Sequence, residues 1–95
     1  MVLSEEDIQE RLAELKDWTL KDEKIVKILQ FSSFMEAIDF VNKIAKIAEI
    51  HNHHPIININ WKTVRISLKS FDVNSITERD FSLASAIEEQ IKKDY

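Results

Sequence analysis

Two adjacent imidazoles, His53 and His54, followed at once by Pro55, are the residues of this chain best suited to chemistry. Histidine titrates near neutral pH, so a fixed pair is a natural donor and acceptor of protons. Pro55 disfavours helical dihedrals at His54 and has no N–H to give to a ladder. Backbone constraint therefore holds the pair where a helix gives way to an extended segment. Glu49 lies one helical turn before His53, placed to orient that imidazole by accepting a hydrogen bond. His51, outside the tripeptide, reads as a helix C-terminal cation that complements the dipole.

A metal is the competing use of Glu49, His51, His53 and His54, since imidazole and carboxylate both bind zinc and similar ions. Adjacent histidines diverge in most backbone conformations, and His51 with His53 is only an H-x-H fragment. The His-Glu-x-x-His spacing of helical zinc sites is absent. Acid-base chemistry is a stronger reading than a metal site. Two aromatics lie near predicted strand ends. Trp61, at a hairpin, fits either the core or the wall of a cleft for a flat ligand. Phe71 follows the last alternating strand and precedes Asp72, where a site residue can sit.

The elements that position these residues are legible in local patterns. Ser4 with Asp7, Ser33 with Glu36, and Thr77 with Asp80 each form a capping pattern, with Leu3/Ile8 and Ile76/Phe81 placed as hydrophobic staples. They predict helices over 4–16, 33–52 and 77–93. The period changes to two between them, predicting strands over 17–20, 24–31, 57–61 and 64–69, with Lys62-Thr63 joining the last two as a hairpin. The order αββαββα predicts an α+β fold: two layers, with helices packed on one face of a four-stranded antiparallel sheet. The middle helix carries two apolar stripes, Phe34/Ile38/Val41/Ala45/Ala48 and Ala37/Phe40/Ile44/Ile47, wider than one sheet contact requires. A second copy is the expected partner, as a homodimer or homotetramer.

Composition narrows the function. Ninety-five residues, 44% hydrophobic, suit a single domain over 1–95 with a modest core. A net charge of -4 and a pI near 5.3 supply no overall basic field, so direct nucleic-acid binding is not expected. Cysteine is absent, which removes disulfides, thiolate metal sites and thiol nucleophiles. Glycine is absent too, so no glycine-rich phosphate loop exists and every tight turn uses other residues. Neither a basic start followed by an apolar run nor a membrane-length apolar segment is present. The expectation is a cytoplasmic protein with no membrane contact.

The spacing Glu49, three residues, His53-His54-Pro55, then Trp61 and Ile76-Thr77-Glu78-Arg79-Asp80, resembles the pterin-4a-carbinolamine dehydratases, also known as dimerisation cofactors of a hepatocyte transcription factor. Similarity runs from Trp18 through Phe31 and Phe34 to Leu83-Ala84-Ser85-Ala86-Ile87-Glu88 and covers most of the chain. The resemblance implies dehydration of a 4a-hydroxytetrahydropterin to quinonoid dihydropterin in tetrahydrobiopterin recycling. One proton goes to the departing 4a-hydroxyl and one leaves ring nitrogen N5. It further implies His53 as an acid-base group, His54 against the bound pterin, and Glu49, Pro55, Trp61, Phe71 and Asp72 around the substrate, with Asp80 part of the motif at the last helix start. This chain departs from the family at Phe71, where a third His is usual, and at Asn74-Ser75, where a glycine is common. Asn74 is the best substitute, because Asn tolerates positive φ. Phe71 can stack on a ring but cannot move a proton. It therefore points either to reduced turnover or to a non-catalytic pterin-binding or assembly module.

Overall fold

The protein is described by a computed structural model over residues 2–94. Helix starts follow the capping chemistry. The Ser4 hydroxyl accepts from the Asp7 N–H at 3.1 Å and opens α1, Glu5–Ala13; the Ser33 hydroxyl accepts from the Glu36 N–H at 3.0 Å and opens α2, Phe34–His51. Glu36 reaches one residue beyond the cap, accepting from the Ser32 N–H and hydroxyl, both at 3.0 Å. At α3, Glu78–Asp94, the Thr77 hydroxyl accepts from the Arg79 N–H at 3.2 Å.

Four strands, β1 Thr19–Lys21, β2 Lys24–Gln30, β3 Ile56–Asn60 and β4 Thr63–Leu68, form one antiparallel sheet in the order β1-β2-β4-β3. Ile25, Val64, Ile66 and Leu68 on one face pack against Ile8 of α1, Phe40 and Ile44 of α2, and Phe81, Leu83 and Ile87 of α3. The architecture is the predicted αββαββα, two-layer α+β arrangement. Within α2, Ala37, Phe40, Ile44 and Ala48 are buried, while Phe34, Met35, Ala45 and Ile50 stay exposed. One stripe builds the core; of the other, Ala48 is buried and Val41 packs against the core, while Phe34 and Ala45 face outward.

Three of the differences from the predicted boundaries have local causes. First, α1 stops at Ala13 instead of 16, because the Glu14 and Leu15 N–H groups bond the Arg11 and Leu12 carbonyls three residues back and tighten the last turn. Asp17, at φ 60°, then reverses the chain, and Trp18 is buried just before β1, outside the strand. Third, the β3–β4 turn is Trp61-Lys62, not Lys62-Thr63. Thr63 pairs with Asn60, and Trp61 takes φ 54°.

Without glycine, left-handed positions fall to Asp17, Asp22, Glu23, Asn52, Trp61 and Asn74. Asp and Asn tolerate this region; Glu23, in the β1–β2 turn, does not do so as readily. Glu23→Gly is expected to raise stability by about 0.5–1 kcal/mol, the relief of φ strain less the extra freedom of the unfolded chain. Its carboxylate is 87% exposed and stands 3.7 Å from Lys69 Nζ, beyond hydrogen-bond reach, so little is lost with it. An unchanged or lower urea midpoint at constant m-value refutes the expectation.

Candidate active site

The His pair is placed by the end of α2. Asn52 adopts the left-handed conformation, φ 49° and ψ 42°, and the His53 N–H reaches back to the Ala48 carbonyl at 3.1 Å, closing the helix. Helical phase is broken at Asn52, so the two imidazoles part. His53 turns inward and is only 7% exposed, whereas the side chain of His54 is 62% exposed on the outer surface. His51 stays exposed in the last helical turn.

Each imidazole has a carboxylate. His53 Nε2 lies 2.6 Å from Asp80 Oδ1, and His54 Nε2 lies 2.5 Å from Glu49 Oε2. Glu49 therefore serves His54, not His53 as predicted: the i,i+4 rule ends with the helix, and the turn at Asn52 carries His53 off that face. With Asp80 ionised, its pairing makes Nε2 of His53 the protonated nitrogen and leaves Nδ1 as the basic one.

Asp80 is fully buried and its second oxygen is also in use. Oδ2 accepts from the Thr77 N–H and from the Ser70 hydroxyl, both at 2.9 Å, and Ser70 Oγ lies 2.7 Å from Thr77 Oγ1. One carboxylate thus joins the α2–β3 junction, the end of β4 and the start of α3. Asp80 was read from sequence only as a helix-start residue and Ser70 was not singled out. The available signal was position: Asp80, Leu83, Ala84 and Ile87 share the buried stripe of α3, and an acid on such a stripe needs a partner.

Ser70 also founds the loop that carries Phe71 and Asp72. Ser70 and Ser75 exchange backbone hydrogen bonds at 2.9 and 3.2 Å, and Asn74 takes φ 50°, the conformation foreseen for it. Phe71, 55% exposed, comes directly after Ser70 as His54 comes directly after His53. Phe71 and His54 are thus each one residue away from a side chain bonded to Asp80. Asp72 accepts from Arg79 Nη2 at 2.6 Å, and the guanidinium holds its carboxyl below the usual carboxylate range. That pairing is complete above the ordinary carboxylate range and is lost as pH falls through the depressed value.

Trp61 is not brought to this cluster. It stands at the opposite end of β3 from Pro55, about 20 Å away at strand rise. Its ring is exposed and lies 4.1 Å beneath the Lys62 ammonium. A cavity of about 490 Å³ lined by Arg11, Leu15, Phe81 and Ser85 has no imidazole in its wall, so the site is assigned from the imidazoles and not from the void. Among the described residues no three His, Asp or Glu side chains converge as a metal site requires.

Known proteins share this fold over most of the chain. The family model for pterin 4 alpha carbinolamine dehydratase matches residues 1–90. Relatives provisionally named pterin-4-alpha-carbinolamine dehydratase include one from Acidobacterium capsulatum, 44% identical over 86 residues, covering 90% of this chain and 94% of that protein. Another, from Chloroflexus aurantiacus, is 44% identical over 87 residues, covering 92% and 94%. A crystal structure of a transcriptional coactivator/pterin dehydratase from Brucella melitensis superposes with a TM-score of 0.88 at 28% identity, covering 94% of this chain and 97% of that one. A pterin dehydratase-like protein identified as a RuBisCO assembly factor in the alpha-carboxysome shares the fold, with a TM-score of 0.65 at 21% identity over 78% and 88% of the two chains. With its fold and nearly its whole length in common with these proteins, the chain belongs to the pterin 4 alpha carbinolamine dehydratase family.

Proposed function

We propose that this protein dehydrates a 4a-hydroxytetrahydropterin to the quinonoid dihydropterin, a step of tetrahydrobiopterin recycling. The observation that carries the reading is the accessible Glu49–His54 pair set directly beside the buried His53–Asp80 pair. In the reaction the C4a–O bond breaks as the departing hydroxyl takes a proton, and N5 gives up its proton as the C4a=N5 double bond forms. His54, held by Glu49, meets the pterin from the solvent side and exchanges one of these protons. His53, with its tautomer set by Asp80, serves the other through Nδ1. Pro55, Phe71 and Asp72 complete the substrate surface, with the Phe71 ring stacking on the flat pterin.

The test mixes purified protein with freshly generated 4a-hydroxytetrahydropterin and follows quinonoid dihydropterin by absorbance. Acceleration over buffer is expected; none at high protein concentration refutes the dehydratase reading. Phe71→His, which supplies an imidazole beside the ring, is expected to raise the rate by up to about 10²-fold. An unchanged rate in a folded variant that still binds the ligand refutes a proton-transfer use of that position. Phe71 is also the observation behind a second reading, a module that binds pterin, or assists assembly, without turnover. Its signature is saturable pterin binding with no dehydration.

The working protein is a cytoplasmic homodimer or homotetramer in which the exposed side of α2, with Phe34, Met35 and Ile50, meets another copy. No described helix is long and apolar enough to cross a membrane. Sedimentation at micromolar concentration tests the assembly, and a monomer refutes it.

A further inference from the structure

Lys27 and Lys69 are each 6% exposed, but the fold does not treat them alike. The Lys27 ammonium donates to Glu88 at 2.7 Å and to the Lys16 carbonyl at 2.8 Å. Lys69 Nζ makes no hydrogen bond among the described residues. Its one ion-pair partner there is Glu23, 3.7 Å away on a side chain that stays in water. A charged donor withdrawn from solvent without an acceptor is costly, so this ammonium has a vacancy to fill. Lys69 lies in the wall of a cavity of about 460 Å³, the size of a small-molecule site, where the start of α1, strand β1, the β1–β2 turn and the 70–76 loop meet. Neither His53 nor His54 is in that wall. The cavity at Arg11 is of similar size, but its cation is already paired with Glu78.

We infer that this cavity binds a small apolar α-amino acid as its zwitterion. Its wall combines one ammonium, Lys69, with two carboxylates, Glu5 and Glu23, over the apolar side chains of Ile8, Leu20 and Ile76. A plain carboxylate satisfies Lys69 but meets two like charges; a plain amine satisfies the acids and leaves Lys69 without an acceptor. A ligand with both charges answers the whole wall. In an α-amino acid the two charged groups flank a single carbon, which matches charged ends of Lys69 and Glu23 set 3.7 Å apart. The ligand carboxylate accepts from Lys69 and from the Asn74 carboxamide, which makes no other bond among the described residues, and the ligand ammonium donates to Glu23 and Glu5. Glu5 has no ion-pair partner among the described residues and is free for this use. The ligand side chain lies on Ile8 and Ile76, which are buried and continuous with the core. Glu23 is held in place at φ 62°, and a costly backbone conformation of this kind is retained where its side chain is used.

The test follows the backbone amides by two-dimensional NMR during titration with L-leucine, beside three compounds that each lack one group. These are 4-methylpentanoate, without the ammonium, 3-methylbutylamine, without the carboxylate, and glycine, without the apolar side chain. Saturable shifts at low-millimolar L-leucine are expected, centred on Ile8, Leu20, Asn74 and Ile76. Each of the two single-charge compounds should bind about tenfold more weakly, the loss of one charge-assisted hydrogen bond, and glycine should bind more weakly as well. Lys69→Met keeps the buried stem and removes the ammonium. It should weaken L-leucine about tenfold, while its urea midpoint does not fall, since the ammonium has no hydrogen bond to lose. Glu5→Gln, at an exposed position, should weaken binding too, and Glu23→Gly should do so while gaining stability. Unchanged binding by Lys69→Met or Glu5→Gln, equal binding of either single-charge compound, or no saturation overturns the inference. So do shifts centred on His53, His54 and Phe71, which place the amino acid in the proposed active site instead. Binding is read without turnover, so its failure and the failure of the dehydratase reading are separate results.

Discussion

His54→Ala is expected to lose about 10²- to 10⁴-fold in dehydration rate while its thermal and urea transitions stay where they are. His54 is exposed and its bond to Glu49 is at the surface, so its removal takes away a proton-transfer group and little packing. His53→Ala should behave differently. It empties a buried position and leaves Asp80 Oδ1 without its partner, so stability falls along with rate, by about 3–5 kcal/mol for breaking a buried pair. The two variants together separate roles that adjacency in the sequence obscures. If His54→Ala retains full rate, the surface imidazole is not the proton carrier; if His53→Ala keeps the wild-type urea midpoint, the inward pair is not structural.

The second large effect lies away from the site. Glu88 Oε2 accepts from Lys27 Nζ at 2.7 Å and from Trp18 Nε1 at 2.9 Å, in a setting where the Lys27 side chain is 6% exposed. Glu88→Ala strands a buried ammonium and an indole N–H together, at a cost of about 3–5 kcal/mol. Against a total of about 5–15 kcal/mol for a domain, this change brings the protein close to unfolding. The double variant Lys27→Met with Glu88→Leu should recover most of the loss, because it removes both charges and keeps the volume filled. A Glu88→Ala urea midpoint within error of wild type would show that the pair contributes little to stability.

Helices, strands and caps were legible because their causes are local. A Ser or Thr three residues before an acid, or a switch of apolar period from 3.6 to 2, is a property of a few neighbouring residues. The site was legible as a tripeptide but not as a wiring diagram. His53 and Asp80 are 27 residues apart, and no local rule pairs them. Glu49 was joined to the wrong imidazole because the helical rule was carried one residue past the left-handed Asn52. Trp61 was grouped with the site by pattern, and only strand length shows the separation. The turn at Trp61 was placed one residue late because a bulky aromatic at positive φ runs against local preference.

The carboxylate of Asp80 has a consequence for motion. It collects bonds from His53, Ser70 and Thr77, so the end of α2, the end of β4 and the first turn of α3 cannot detach one at a time without stranding a buried charge. These segments should open as one cooperative unit, with the backbone amides of His53, Ser70 and Thr77 sharing a single opening free energy in native-state hydrogen exchange. The His54 side chain, tied only to Glu49 at the surface, moves outside that unit. A buried anchor and an exposed imidazole thus sit on consecutive residues.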